Sequence, residues 1–178
     1  MSKLSDFIDS NNGIYSFIEK EAKTFRLDSV NDGVYRGSAF GLIESVDFQS
    51  SNTGSVYLSF KMPDGFTSIK DIKIKHVAVL NTNDVGTDII FKTESWLINS
   101  GDTPDPLSPN HTATSTIQCQ AGHINTVEMI SLPEIIIPSS LISELDKYIV
   151  MKFTRDATNA NDTYGGTYQL IAVQIYQI

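Results

Sequence analysis

Lys147-Tyr-Ile-Val-Met-Lys-Phe-Thr-Arg155, Asp156-Ala-Thr-Asn-Ala-Asn-Asp162 and Thr163-Tyr-Gly-Gly-Thr-Tyr-Gln-Leu-Ile-Ala-Val-Gln-Ile-Tyr176 decide the fold. In the first stretch Ile149, Met151 and Phe153 fall at every second position, and in the last Ile171, Val173 and Ile175 do the same. An extended chain throws alternate side chains to opposite faces, so each stretch offers one apolar face as a strand. The Asx-rich segment between them lets the chain turn back. The reading is a β-hairpin that closes a sandwich.

Working outward from this hairpin, the period of two runs back through the chain. It predicts strands over Val34 to Ala39, Gly41 to Phe48, Ser55 to Met62, Ile69 to Leu80, Thr87 to Trp96, Thr112 to Gln120, Ile124 to Ile130, Lys147 to Arg155 and Tyr168 to Ile178. Strands at such spacing, separated by Pro, Gly, Asn and Asp, point to a mainly β chain folded as a single antiparallel β-sandwich of jelly-roll type. Ile72 and Ile74 lie on one parity and Val77 and Val79 on the other, which predicts a bulge or a crossing between sheets near Lys75-His76. The Pro-bearing connection Asn99 to Asn110 reads as an excursion at one end, and Ser139 to Leu145 as a short serine-capped helix.

The first thirty residues read differently. Ile14, Phe17, Ile18, Ala22 and Phe25 recur at helical spacing, with Glu19, Lys20, Glu21 and Lys23 on the other side. This predicts an N-terminal amphipathic helix, preceded by an apolar cluster at Leu4, Phe7 and Ile8. The expected organisation is therefore an N-terminal helical docking segment over residues 1–30 and a sandwich domain over 31–178. Leu4, Phe7, Ile8, Ile14, Phe17 and Ile18 are the candidate partner-docking residues, since apolar side chains of this number need a cover.

Composition narrows the function classes. Thirteen Lys and Arg against 21 Asp and Glu give a net charge of −8, with no basic run, which disfavours direct nucleic-acid binding. No stretch reaches membrane-spanning length, and the charged start is unlike a signal peptide, so no membrane partner and synthesis in a cytoplasm are expected. One cysteine, Cys119, excludes an intrachain disulfide and reads as a reduced thiol in a strand. His76, His111 and His123 are scattered without zinc-ligand spacing, and no nucleophile elbow, phosphate loop or dinucleotide motif occurs. The expectation is a chain that is not an enzyme and holds no metal or cofactor. Two weaker signals remain: Asp156, Asn159, Asn161 and Asp162 as an oxygen-rich loop of the ligand type calcium takes, which reads as a plain connection for want of EF-hand spacing, and Trp96 with Tyr57 and Phe91 as a sugar-stacking platform that reads first as core.

Phe153-Thr-Arg155-Asp156-Ala157, Asp162-Thr-Tyr-Gly-Gly166 and Leu170-Ile-Ala-Val-Gln-Ile-Tyr176, with Val56-Tyr-Leu-Ser-Phe-Lys-Met-Pro-Asp-Gly65, together resemble β-sandwich structural proteins of tailed-bacteriophage virions. Within these words Arg155 and Asp156 are placed to pair or cap where the strand ends, and Gly165-Gly166 to turn the chain. The resemblance implies a non-enzymatic head or tail component of the virion, a symmetric homo-oligomer contacting other virion proteins through its sandwich edges and N-terminal segment. The alternative reading is a carbohydrate-binding or host-receptor-binding module on the same fold, marked by exposed aromatics on one face.

Overall fold

The computed structural model describes residues 8–9, 13–14, 17–21, 24–27, 33–62, 66–99, 101–103, 105–120, 125–142 and 148–178. Among them the chain is built of strands: β1 (Ile8–Asp9), β2 (Gly13–Ile14), β3 (Phe17–Glu21), β4 (Arg26–Leu27), β5 (Val34–Ala39), β6 (Ile43–Phe48), β7 (Gly54–Lys61), β8 (Ile72–Leu80), β9 (Asp88–Ile98), β10 (His111–Gln118), β11 (Glu128–Ser131), β12 (Tyr148–Arg155) and β13 (Tyr168–Gln177). One sheet has the order β10-β9-β12-β7-β4, and the other β11-β8-β13-β6-β5 with β3 also on β13. Every pairing is antiparallel. The mainly β sandwich read from the alternation is therefore the fold.

The two sheets bury one continuous core. From the five-stranded sheet come Val56, Leu58, Phe91, Ile149, Met151 and Phe153, and from the other Val46, Phe48, Ile74, Leu80, Leu170 and Val173. Phe91 meets Phe48 edge-on at 5.3 Å and Tyr168 at 4.8 Å, the tilted arrangement that ring quadrupoles favour.

The N-terminal helix is the expectation that the structure corrects. Phe17–Glu21 is extended and pairs with β13, Ile18 opposite Ile175 and Phe17 opposite Tyr176. The reason lies in β13: β6 pairs with it only from Tyr168 to Leu170, leaving the edge beyond Ala172 for another strand. A helical period confined to two turns loses to five residues of backbone pairing. Arg26–Leu27 likewise pairs with β7, and Phe25 between these strands is buried at 6.4 Å from Phe153. Of the candidate docking residues, Leu4 and Phe7 lie outside the described residues. Ile8 and Ile14 stand opposite each other in a two-stranded pair, and Phe17 and Ile18 lie on β3.

Two finer expectations also shift. The irregularity assigned to Lys75-His76 sits in the partner strand instead, where the β8–β13 register slips between Leu170 and Ala172. Strand β8 keeps its alternation, with Ile72, Ile74, His76, Ala78 and Leu80 all buried. Where a helix was expected after Pro138, the chain makes one 3-10 turn, Ser139–Leu141, whose first N–H donates to Asp71 Oδ1 at 2.6 Å.

Arg155 closes the hairpin, though not with Asp156. Its side chain is fully buried and pairs with Asp162, Nε to Oδ2 at 3.1 Å and Nη2 to Oδ1 at 2.8 Å. Its remaining donors reach the carbonyls of Gly166, Phe48 and Tyr164. Asp162 Oδ2 also accepts the Ile90 N–H at 3.0 Å, so this pair ties the β12–β13 connection to β9. Gly166 serves by its size: a Cβ there would collide with Thr82 Oγ1 and the Tyr164 ring.

Candidate functional site

Antiparallel register sorts the five-stranded sheet into a core face and an outer face. Outward, four rows cross the strands. Arg26, Tyr57, Lys152, Glu94 and Thr112 stand in line, flanked on one side by Ser59, Val150 and Trp96 and then Lys61, Tyr148 and Ile98, and on the other by Ser55, Thr154, Lys92 and Thr114. Within these rows Ser55, Thr154 and Trp96 are buried, while Arg26, Ser59, Lys61, Thr112, Thr114 and Tyr148 are exposed.

Tyr148 is its exposed ring, with 58% of its surface in solvent. Tyr57 is held differently: the Arg26 guanidinium lies 4.8 Å and the Lys152 ammonium 5.5 Å from its centroid. Cations so close to the ring occupy its π surface. Lys92 and Glu94, same-face neighbours on β9, pair at 2.8 Å.

At the end of the middle rows the β9–β10 connection folds back on the sheet and leaves an open cleft of about 210 Å³, lined by Trp96, Leu97, Ile98, Asp102, Asp105 and Asn110 among others. Trp96 is buried beneath it and donates its indole N–H to the Asp105 carbonyl at 3.0 Å. Asp105 accepts the Leu107 N–H at 2.9 Å and the Ser108 hydroxyl at 2.8 Å, which hold its carboxyl below the usual carboxylate range. Asp102 accepts the Asn99 N–H at 2.7 Å, and Asn110 Oδ1 accepts the Leu97 N–H at 2.7 Å. The cleft is thus a polar wall, preorganised by its own turns, over an aromatic floor.

The platform suggested by Trp96, Tyr57 and Phe91 is split by the fold. Trp96 and Tyr57 share the outer face, whereas Phe91 belongs to the core. Tyr148, which sequence reasoning placed only as a member of the hairpin, is the exposed ring beside the cleft. The signal was its parity opposite Ile149, Met151 and Phe153 on the same strand.

The other candidates for chemistry resolve into structure. His76 sits within the core, Nδ1 3.0 Å from the Tyr168 hydroxyl and its ring packed edge-on against Phe91 and Phe153. Burial pushes its imidazole down to about 3. His111 Nε2 meets the Ile135 carbonyl at 3.2 Å, and His123 lies outside the described residues. Burial raises the Cys119 thiol. The Asx-rich loop is internally committed: Asp162 serves Arg155, and Asp156 accepts from Thr53, Thr158 and Asn159. Among the described residues no group of three or more His, Cys, Asp or Glu side chains could hold a metal ion, and no helix is long and apolar enough to cross a membrane. A shallow groove beside Arg36, Gly37, Glu44 and Ser45 marks β5–β6, where Gly37 makes room for the buried Asp47 carboxylate.

No protein-family model matches the sequence, and no curated protein does. Among solved structures the chain is similar to TmCBM61 in complex with β-1,4-galactotriose, at 9% identity over 89% of this chain and 91% of that one, with a TM-score of 0.45. It is also similar to the mannan-recognising carbohydrate-binding module TmCBM27, at 12% identity over 92% and 98% of the two chains and a TM-score of 0.40. A third is the family 11 carbohydrate-binding module of the cellulosomal cellulase Lic26A-Cel5E of Clostridium thermocellum, at 14% identity over 97% and 94% and a TM-score of 0.43. At such scores the ligands of those proteins say nothing about this chain's own. None of the three is a virion protein, and the expectation of a bacteriophage structural component is corrected accordingly. The words that carried that resemblance are accounted for within this chain, since Arg155, Asp162 and Gly166 form the internal lock of the closing hairpin.

Proposed function

We propose that this chain is a non-catalytic carbohydrate-binding module, a β-sandwich of jelly-roll type that takes a glycan on the outer face of its five-stranded sheet. The observation that carries the reading is the open face itself, where the exposed ring of Tyr148 stands one row from the cleft over Trp96. A pyranose ring has an apolar face of C–H groups and a rim of hydroxyls. Tyr148 offers the first an aromatic surface, and the ionised Asp105 with Asp102, Asn110, Thr112 and Lys92 offers the second acceptors and donors.

The test is affinity electrophoresis and calorimetry against a panel of plant, fungal and bacterial polysaccharides. The wild-type chain is expected to bind at least one, with Tyr148→Ala weakening it about tenfold or more, the effect of removing an aromatic anchor worth about 1–2 kcal/mol. Tyr35→Ala, a half-exposed ring on the other sheet, leaves binding unchanged. Absence of binding across the panel, or equal losses in both variants, would refute the reading.

A further inference from the structure

We propose, building on the carbohydrate reading above, that the glycan of this face is acidic: a polysaccharide in which uronic-acid carboxylates stand among neutral sugars, one carboxylate seated against Arg26 and Lys152 beside Tyr57. Charge on the face is the observation that carries the assignment. The outward rows of the five-stranded sheet hold Arg26, Lys61, Lys92 and Lys152, four of the chain's 13 Lys and Arg, but only one of its 21 Asp and Glu, Glu94. On a chain of net charge −8 this is a local reversal of sign. Lys92 engages that one carboxylate at 2.8 Å.

Two of the cations meet at one ring. Tyr57 of β7 stands in register between Arg26 of β4 and Lys152 of β12, and strands about 4.8 Å apart set those two backbones about 10 Å from each other. The guanidinium lies 4.8 Å and the ammonium 5.5 Å from the Tyr57 centroid, so the ring quadrupole holds like charges near each other. An anion bound there is attracted by both. The guanidinium offers donors in a planar fork that matches a carboxylate, and the ammonium adds a compact charge. A uronic acid carries such a carboxylate on the rim of its pyranose ring.

The other side of the face selects against a ligand charged throughout. Asp102 and Asp105 line the cleft at Trp96, which belongs to β9, and β9 lies three strands from β4 in the sheet order, about 14 Å away. Across the strands the face therefore passes from carboxylates at the cleft to cations at Tyr57, with the exposed ring of Tyr148 on β12 between them. A nucleic acid or an anionic lipid surface, with a charge on every unit, meets repulsion from Asp102 and Asp105 as soon as it reaches the cations. A polymer with a neutral sugar in the cleft and an acidic one near Tyr57 meets hydroxyl acceptors at the first and positive charge at the second.

Calorimetry against matched polymers decides the matter: glucuronoxylan, xanthan and polygalacturonate, each native and with its carboxyl groups reduced to alcohols, beside neutral xylan and mannan. The wild-type chain is expected to bind glucuronoxylan or xanthan, more tightly than polygalacturonate, and carboxyl reduction should weaken that binding about tenfold or more. Added salt should weaken the native polymer more than the reduced one, because it screens exposed charges. Arg26→Gln with Lys152→Gln, its fold verified by circular dichroism, should bind native and reduced polymer equally. Lys75→Gln, which removes a cation 5.2 Å from the Tyr176 ring on the other sheet, should keep the preference. Neutral or reduced polymers bound as tightly as native ones overturn the proposal and leave the carbohydrate reading standing, whereas binding to no polymer refutes both. A folded double variant that keeps the preference overturns the seat assigned to the carboxylate, and if that variant does not fold, carboxyl reduction of the ligand still decides. Duplex DNA or phosphatidylglycerol vesicles bound as tightly as the best polysaccharide also overturn it.

Discussion

Asp162→Ala is expected to destabilise the sandwich more than any change to the exposed loop around it. The substitution removes a carboxylate that accepts two charge-assisted bonds from Arg155, at 2.8 and 3.1 Å, and a third from the Ile90 N–H at 3.0 Å. Both side chains of the pair are buried, at 0% and 1% exposure, so water cannot take the place of the lost acceptor. Leaving one charge of a buried pair unmatched costs about 3–5 kcal/mol. At about 2–4 °C per kcal/mol for a chain of this size, the melting temperature should fall by roughly 10 °C or more. The double variant Arg155→Met with Asp162→Leu sharpens the test. Apolar replacement of a buried pair is often close to neutral, yet here the guanidinium also satisfies the carbonyls of Gly166, Tyr164 and Phe48. Each bare carbonyl costs about 1–3 kcal/mol, so the double variant stays destabilised by about 3 kcal/mol or more. Urea and thermal unfolding at pH 7 measure both. An Asp162→Ala variant within about 1 kcal/mol of wild type, or a double variant as stable as wild type, would refute the role given to this lock.

Three further outcomes follow from other positions. Burial holds the His76 imidazole at about 3 against an ordinary 6.5, so the unfolded chain binds a proton that the fold refuses; stability is complete above pH 6.5 and falls towards pH 3. The slope approaches about 1.4 kcal/mol per pH unit, and His76→Phe should flatten melting temperature against pH in that window. Phe25→Ala is expected to cost about 3–5 kcal/mol in chemical denaturation, as for an aromatic lost from a core; a loss below about 1 kcal/mol would mean that residues before Asp28 are dispensable to the sandwich. Phe40 and Gly41, at φ 55° and 70°, form a tight turn with the Leu42 N–H bonded to the Ala39 carbonyl; Phe40→Asn should raise stability by about 1 kcal/mol, since asparagine accepts the left-handed region that a bulky ring resists.

Alternation of side chains made most of the fold legible, because the period of two is local and each β-strand carries its own copy. The core faces of β7 and β12 follow from Val56, Leu58, Phe60 and Ile149, Met151, Phe153 without reference to anything distant. What escaped was set by pairing between remote segments. Phe17 and Ile18 fit a helix as well as a strand, and only the unclaimed edge of β13 beyond Ala172 decides between them. The slip between Leu170 and Ala172 shows the same limit: Ile171 continues the parity of Val173 and Ile175, yet Tyr168 and Leu170 are the residues that reach the core before the bulge. The candidate site was legible only in its parts. Trp96 stood out by type, but its place beneath a folded-back connection depends on the Asp105 carbonyl arriving from nine residues away.

Buried polar groups separate the parts of this molecule that hold it together from the outer face of the five-stranded sheet. Arg155, Asp162, Asp47 and Gln177 are each answered by partners within the chain, at the hairpin, beneath Gly37 and beside Thr67. These groups are spent on cohesion, and a ligand could reach them only by unfolding their surroundings. The outer face of the five-stranded sheet is the converse. Its cleft acceptors are fixed by backbone N–H groups but keep lone pairs on the open side, because a carboxylate has about four acceptor positions and Asp105 uses two in its own turn. Its exposed ring belongs to the first residue of β12, which stands between Lys61 of β7 and Ile98 of β9. On the proposed carbohydrate reading, acceptors fixed in this way by their own turns would lose little entropy on meeting a sugar, which matters more to affinity than the number of polar groups on the face.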